Sequence, residues 1–178
     1  MTDFVRPADA PGHDPYIASL LDALGSRDPV QVMAETPDAL RRGIAGMSEP
    51  QLSMLEAPGK WSVRRMLAHL ADSELVGGFR FRMILAHRDP ALPGYDQDAW
   101  AEHLHYGDAE VDTVLNTFTT LRRANLCLFQ WTSPEQRHRV GLHSERGAES
   151  LGFLMNLYAG HDLVHLRQLA RIRGAIGA

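Results

Sequence analysis

The sequence predicts an all-α protein: a four-helix bundle with one long crossover connection and a short additional helix near the N-terminus. Apolar residues recur at spacings of three and four over several long segments, N-cap residues precede these segments, and proline and glycine cluster between them. No segment of useful length alternates apolar and polar residues as a strand does. With 178 residues, 44% of them hydrophobic, the chain suits a single domain, which we place at residues 14–178 after a flexible arm at residues 1–13.

The first predicted helix is the short one outside the bundle. Asp14 is an N-cap residue, Pro15 follows it at the first helical position, and Gly25 marks the end of the helix. Helical spacing directs four apolar or aromatic side chains inward, those of Tyr16, Leu20, Leu21 and Leu24.

The first bundle helix has two start signals. Asp28 precedes Pro29, and Thr36 precedes Pro37, so each pair joins an N-cap residue to proline. Because proline inside a helix removes a backbone hydrogen bond, we expect a break or kink near Pro37 and an end at about Met47. The segment MSEPQLSMLEAPGK that follows is predicted to be a loop.

The second bundle helix is predicted to begin after its N-cap, Ser62, and to extend to about His87. Its apolar stripe has helical spacing and comprises Val63, Met66, Leu70, Phe81 and Ile84. The segment DPALPGYDQDAW then contains two prolines and a glycine and is too long for a tight turn. We therefore predict that it is the crossover connection.

A second irregular segment separates the last two bundle helices. Asp108 is the predicted N-cap of the third helix, which we expect to stop at Ser133 and Pro134. The segment HRVGLHSERG is predicted to be irregular. The last helix is predicted to run from about Ala148 to Arg173.

Two of the nine histidines, His161 and His165, lie four residues apart in the last helix. At 100° per residue both project from the middle of its apolar stripe, so we expect them to point into the bundle. Buried imidazoles need partners, which are either hydrogen-bonding groups of a packed core or a metal ion. A metal site that is open to substrate usually has three protein ligands, and His69 of the second bundle helix is the best candidate for the third.

Three segments carry a resemblance to a known family: GKWSVRRMLAHLADSE around His69, LPGYDQDAW in the crossover, and AGHDLVHLRQLARIRG around His161 and His165. Together they resemble the DinB/YfiT superfamily of bacterial proteins over most of the chain from Asp28 to Gly174. The resemblance implies a four-helix bundle, often dimeric, that binds a divalent metal such as zinc or nickel through the three histidines. It also implies either a metal-dependent hydrolase or an S-transferase or isomerase that uses a low-molecular-weight thiol.

The leading interpretation of the sequence is a metal-dependent hydrolase or thiol S-transferase whose metal keeps a position open for water or thiol. The alternative is a non-catalytic metal-binding or stress-associated bundle, in which the ion only ties two helices together. We expect the substrate to be a small molecule, with a low-molecular-weight thiol as one candidate, and the protein to form a homodimer.

Five further polar residues are candidates for orienting the ligands or contacting the substrate. Metal-bound imidazoles usually form a hydrogen bond through their second nitrogen, and residues on the inward helix faces could accept or donate it. The candidates are Asp72, Tyr158, Gln168, Arg122 and Asn125. His138 and His143, in the second irregular segment, could approach the open face of the site, but we interpret them as residues of a solvated loop.

Charge and cysteine content exclude several classes of function. Lys and Arg number 18 against 22 Asp and Glu, so the net charge is −4 and nucleic acid is not an expected partner. Cys127 is the only cysteine, which excludes an intramolecular disulfide and a multi-thiolate zinc site, and we interpret it as a small core residue. Neither a signal-peptide pattern nor a membrane-spanning run of apolar residues is found, so a cytoplasmic location without membrane contact is expected.

Overall fold

The protein is mainly helical over residues 14–177, which the computed structural model describes. In chain order its elements are α1 (Pro15–Leu24), α2 (Pro29–Ile44), α3 (Glu49–Ser53), α4 (Val63–Ala86), β1 (Ala91–Leu92), α5 (Gln97–His103), a 3₁₀ turn (Tyr106–Asp108), α6 (Val111–Gln130), α7 (Pro134–Arg137), β2 (Val140–His143), β3 (Gly147–Ser150) and α8 (Leu151–Ile176). Helices α2 and α4 each pack against α6 and α8, which confirms the predicted four-helix bundle. The arm predicted at residues 1–13 lies outside the described residues.

Short polar side chains fix the starts of the first helices, as predicted. Asp14, Asp28 and Ser62 cap α1, α2 and α4 by accepting hydrogen bonds from backbone amides of the first turn. Helix α1 ends at Gly25, whose positive φ of 61° suits glycine. No helix of the described range is long and apolar enough to cross a membrane.

Helix α2 is continuous through Pro37, so the predicted break is wrong. Proline lacks the amide that would donate to the carbonyl of Met33, four residues earlier. The guanidinium of Arg122 on α6 donates to that carbonyl instead, over 2.8 Å. A side chain from a neighbouring helix therefore replaces the missing backbone hydrogen bond, which no pattern within α2 could predict. The helix ends at Ile44 rather than near Met47.

Two boundaries of the third bundle helix differ from the prediction. The N-cap of α6 is Glu110, whose carboxylate accepts from the amides of Asp112 and Thr113, while Asp108 belongs to the 3₁₀ turn. The helix stops at Gln130, and Ser133 caps the separate short helix α7. The first predicted loop likewise contains the one-turn helix α3.

A small sheet replaces the second irregular segment and was not predicted. Strand β2 pairs in parallel with β1 and antiparallel with β3. Strands of two to four residues are too short for an apolar alternation to be visible, and β1 and β2 are about 50 residues apart in the chain. Because β3 includes Ala148, α8 begins at Leu151 rather than near Ala148.

Two residues predicted to be buried are exposed. Tyr16 is 49% exposed, because the inward face of α1 is formed by Leu20 and Leu24. Cys127 is exposed as well. It follows the buried Asn125 by two residues, which places it about 200° around α6 from the inward face.

Gly160 allows α1 to lie directly against α8. A Cβ atom at this position would collide with the backbone carbonyl oxygen of Leu20, which cannot move aside as a flexible side chain could. We expect Gly160→Ala to lower the free energy of unfolding by about 1–3 kcal/mol, measured by urea denaturation. Gly174→Ala is the matched control on the same helix, because no atom lies within 4 Å of a Cβ there. Equal stability of the two variants would contradict this close approach.

Candidate metal centre

Three imidazoles converge between α4 and α8. The Nε2 atom of His161 lies 3.0 Å from Nε2 of His69 and 3.1 Å from Nε2 of His165. The ligand atoms of all three side chains fall within 4.8 Å of one another. Two donors bonded tetrahedrally to zinc at about 2.0–2.1 Å are separated by roughly 3.3 Å, close to the distances found here. The arrangement therefore fits a single ion held by three Nε2 atoms.

Burial keeps these imidazoles uncharged at neutral pH. Removal from water, with a smaller contribution from His165, lowers the pKa of His69 to about 3. Burial also lowers the pKa of His161 well below its ordinary value and lowers that of His165. Since neutral imidazole is the form that binds metal ions, the folded chain presents all three side chains in the competent protonation state.

Gln168 fixes the tautomer of His165. Its Oε1 lies 2.9 Å from Nδ1 of His165. An amide oxygen only accepts, so Nδ1 carries the proton and Nε2 turns its lone pair towards the other two histidines. The amide nitrogen of Gln168 in turn donates to Glu56 over 3.5 Å, and Glu56 also accepts from Arg171 over 3.0 Å. Gln168 thus contacts the far nitrogen of His165, where an orienting residue was predicted, and Glu56 extends the contact chain in a way the sequence did not indicate.

His69 is held by packing rather than by a hydrogen bond on its far nitrogen. Its Nδ1 is buried and has no hydrogen-bond partner within residues 14–177. The ring of Trp61 meets it edge to face, with centroids 5.1 Å apart. Asp72, predicted as an orienting group, instead accepts a hydrogen bond of 2.6 Å from the hydroxyl of Tyr106.

A cavity of about 180 Å³ adjoins the cluster. His69 and His161 form part of its wall. Other polar side chains that line it include Ser73, Arg80, Tyr95, His143 and Tyr158. Tyr158, one of the predicted residues, therefore lies at the cavity wall.

The interpretation of His143 as a residue of a solvated loop is wrong. Strand β2 carries its side chain inward, where only 4% of the residue is exposed. Burial is the main reason that the pKa of His143 is lowered. His138, by contrast, is exposed. The inward position of His143 depends on the sheet, and the sheet was not predicted.

Arg122 and Asn125 lie in the bundle interior, apart from the cavity wall. Arg122 donates to both carboxylate oxygens of Asp162, over 2.5 and 3.0 Å, and to Glu74 over 2.9 Å. Asn125 donates to the other oxygen of Glu74 over 2.8 Å. Asp162 follows His161 directly in α8, so this buried network ties the backbone beside one imidazole to α4 and α6.

The lowered pKa values imply a loss of stability in acid. Below about pH 6.5 the unfolded chain binds protons on these histidines that the folded metal-free chain does not, so the free energy of unfolding falls with pH. Each such imidazole costs up to about 1.4 kcal/mol per pH unit until its folded pKa is reached, which for His69 is about 3. We expect His161→Gln to reduce the loss between pH 7 and pH 5 by about 2 kcal/mol in chelator-treated protein. Urea denaturation at both pH values measures it. The exposed His103→Gln is the control, and an unchanged loss in His161→Gln would contradict the burial argument.

The contact between Gln168 and His165 gives a further testable prediction. We expect Gln168→Ala to weaken zinc binding by about 10- to 100-fold, because Nδ1 of His165 loses the acceptor that fixes its tautomer. Gln168→Glu keeps an acceptor and should retain most of the affinity. Competition with a chromophoric chelator measures both variants, and ¹⁵N chemical shifts of His165 report the tautomer. Equal affinity in the alanine variant and the parent would show that the contact is dispensable.

Comparisons with known proteins agree with the predicted family and with the helical-bundle fold. A family model described as the DinB superfamily matches residues 33–169. A protein of Oceanobacillus iheyensis named "Putative metal-dependent hydrolase" is 26% identical over 143 residues, which are 80% of this chain and 83% of the relative. The similarly named YfiT of Bacillus subtilis is 28% identical over 149 residues, 82% of this chain and 84% of its own. The solved structure of YfiT, described as having "an unusual four-helix bundle topology", matches with a TM-score of 0.80 at 27% identity and covers 84% of this chain and 86% of that one.

Proposed function

Because the chain belongs to the DinB superfamily and gathers three imidazoles beside a cavity, we propose that it is a metal-dependent enzyme acting on a small molecule. The observation that carries the proposal is the convergence of three Nε2 atoms, with His69 and His161 also forming part of the cavity wall. A site that only joined two helices would have no need of an adjoining cavity.

His69, His161 and His165 are the residues that would hold the metal, with zinc or nickel as the expected ion. All three ligands are neutral, so a bound divalent ion would keep its full charge and lower the pKa of a bound water or thiol. The chain itself supplies the orientation of His165 through Gln168 and the packing of His69 against Trp61.

Hydrolysis is the leading candidate reaction. The names of the relatives from Oceanobacillus iheyensis and Bacillus subtilis both point to it. Transfer of a low-molecular-weight thiol is the second candidate, because the same three ligands suit activation of a thiol. The two reactions differ in what occupies the position beside the histidines, so small probe ligands can distinguish them.

Cobalt substitution tests whether the metal is accessible. We expect azide to change the visible absorption spectrum of the cobalt-loaded protein, because three protein ligands leave room for an exogenous one. A spectrum that does not respond to azide or to 2-mercaptoethanol at saturation would favour the non-catalytic bundle. His161→Ala serves as the control for cobalt bound elsewhere.

Turnover assays then separate the two reactions. Release of p-nitrophenol from simple esters without added thiol would support hydrolysis. Conjugation of a thiol to an electrophilic dye would support S-transfer. In both assays the activity should depend on added zinc or nickel and be lost in His161→Ala.

Homodimer formation, a cytoplasmic location and the absence of a nucleic-acid partner stay predictions. Sedimentation velocity tests homodimer formation.

A further inference from the structure

Arg80 is a buried arginine that lines the cavity and has no carboxylate partner among the described residues. Arg80 is 5% exposed and lines the same cavity as His69 and His161. Within residues 14–177, no carboxylate lies within ion-pair distance of its guanidinium. Arg122 of the same bundle differs from Arg80 in this respect, because two buried carboxylates neutralise its charge.

The contacts of Arg80 are neutral and leave hydrogen-bonding capacity unused. One terminal nitrogen donates to the carbonyl oxygen of Pro93 over 2.6 Å and lies 3.2 Å from Nε2 of His143. The hydroxyl of Tyr158 lies near the guanidinium in the same cavity. The Nε atom is buried and has no partner in the described part of the chain. A buried charge without a counter-charge is costly, so its retention at a cavity wall indicates an anion that comes from outside the chain.

The other charged groups of the cavity do not supply that counter-charge. Asp14 and Glu145 line the cavity but are exposed at its rim. Arg146, the second arginine of the wall, is already paired with Glu149. Arg80 is thus the unneutralised cation of the cavity, as far as residues 14–177 show.

Arg80 and His69 lie on one face of α4. The eleven residues from His69 to Arg80 amount to three turns, which leaves the two side chains within about 20° of each other around the helix. Their α-carbons are roughly 16 Å apart along the axis, and both side chains line the same cavity. A ligand of moderate length can therefore reach both groups.

We propose that Arg80, with the Tyr158 hydroxyl beside it, binds an anionic group of the substrate, a carboxylate or a phosphate ester, while the reacting end of the substrate lies at His69, His161 and His165. The placement of the reacting end rests on the proposed function. The anion site itself rests only on the burial and the contacts of Arg80. Arg146, the second arginine of the cavity wall, provides the matched control because Glu149 already neutralises it. Glu149 is buried, so Arg146→Met is always made together with Glu149→Gln.

The first test does not depend on metal. Full-length protein, as purified and after chelator treatment, is titrated with hexanoate, hexyl phosphate and hexanol while the Nε–H signal of Arg80 and the ring signals of His143 are followed by NMR. We expect at least one of the two anions to bind about tenfold more tightly than hexanol and to shift these signals. The preference should disappear in Arg80→Met and persist in Arg146→Met. The anion that binds more tightly shows whether the site prefers a carboxylate or a phosphate ester.

The second test asks whether one ligand can contact both Arg80 and a metal held by the histidine cluster. Cobalt-loaded protein is titrated with 6-mercaptohexanoate and 6-mercaptohexanol, and absorption from thiolate bound to cobalt is measured. We expect the carboxylate to bind about tenfold more tightly in the parent, with the difference lost in Arg80→Met. A positive first test with no thiolate absorption would reject the proposed function and leave the anion site standing.

Three results would overturn the proposal. They are equal binding of hexanol and both anions by the parent, a preference that survives in Arg80→Met, and a preference lost equally in Arg146→Met. If Arg80→Met does not fold, as judged by its thermal melt, Arg80→Lys takes its place. Lysine keeps the charge but not the planar fork, so a reduced preference for the anion is expected. The comparison of anion with hexanol in the parent alone still decides whether an anion site exists.

Discussion

Replacing His161 with alanine is expected to remove nearly all binding of zinc or nickel. Nε2 of His161 lies 3.0 and 3.1 Å from the other two ligand atoms, so the substitution removes the donor that both remaining imidazoles approach. The loss of affinity should exceed the roughly 10- to 100-fold that an outer contact such as Gln168 contributes, because a coordinating atom itself is missing. Competition with a chromophoric chelator at pH 7.5 measures the change.

The control for this prediction is His103→Ala. His103 is exposed at the end of α5, and surface histidines bind added metal weakly. Its affinity should equal that of the parent. If His161→Ala bound metal as tightly as the parent and His103→Ala did not, the metal would lie outside the histidine cluster.

Replacing Arg122 with methionine is expected to cost about 3–5 kcal/mol of stability. The substitution leaves Glu74 and Asp162, each 1% exposed, as buried carboxylates without a cation. It also leaves the carbonyl of Met33 without the donor that compensates for Pro37. Both effects destabilise the folded state, and urea denaturation measures their sum.

Two further variants show whether unpaired charge causes the loss of stability in Arg122→Met. Arg123→Met removes an exposed neighbour of the same type and should change stability by less than about 0.5 kcal/mol. Adding Glu74→Gln and Asp162→Asn to Arg122→Met removes the stranded charges and should recover part of the loss. A loss below about 1 kcal/mol in Arg122→Met itself would contradict the view that this network holds the bundle together.

Much of the fold follows from local patterns. Asp28 and Ser62 mark helix starts because capping depends on residues within one turn, and the apolar stripe of α4 repeats often enough to be read. The continuity of α2 does not follow in this way. It depends on Arg122, 85 residues beyond Pro37, and no pattern inside a single helix carries that information.

In the candidate site, too, some residues could be predicted from the sequence and others depend on tertiary contacts. His161 and His165 share a helix face by spacing alone, and the three histidines lie together as the resemblance to the superfamily implies. His143 and Arg80 join the cavity through contacts between β2 and α4, which depend on a sheet of very short strands. Their burial, and the lack of a carboxylate beside Arg80, are properties of the packed chain.

A crystal of the full-length protein incubated with zinc, measured on both sides of the zinc absorption edge, tests the central claim most directly. The expected result is one anomalous peak about 2.0–2.1 Å from the Nε2 atoms of His69, His161 and His165, with no fourth protein ligand. No peak among these atoms would contradict a metal site built from the three histidines. A fourth protein side chain bound to the ion would contradict the open position that a metal-dependent enzyme requires.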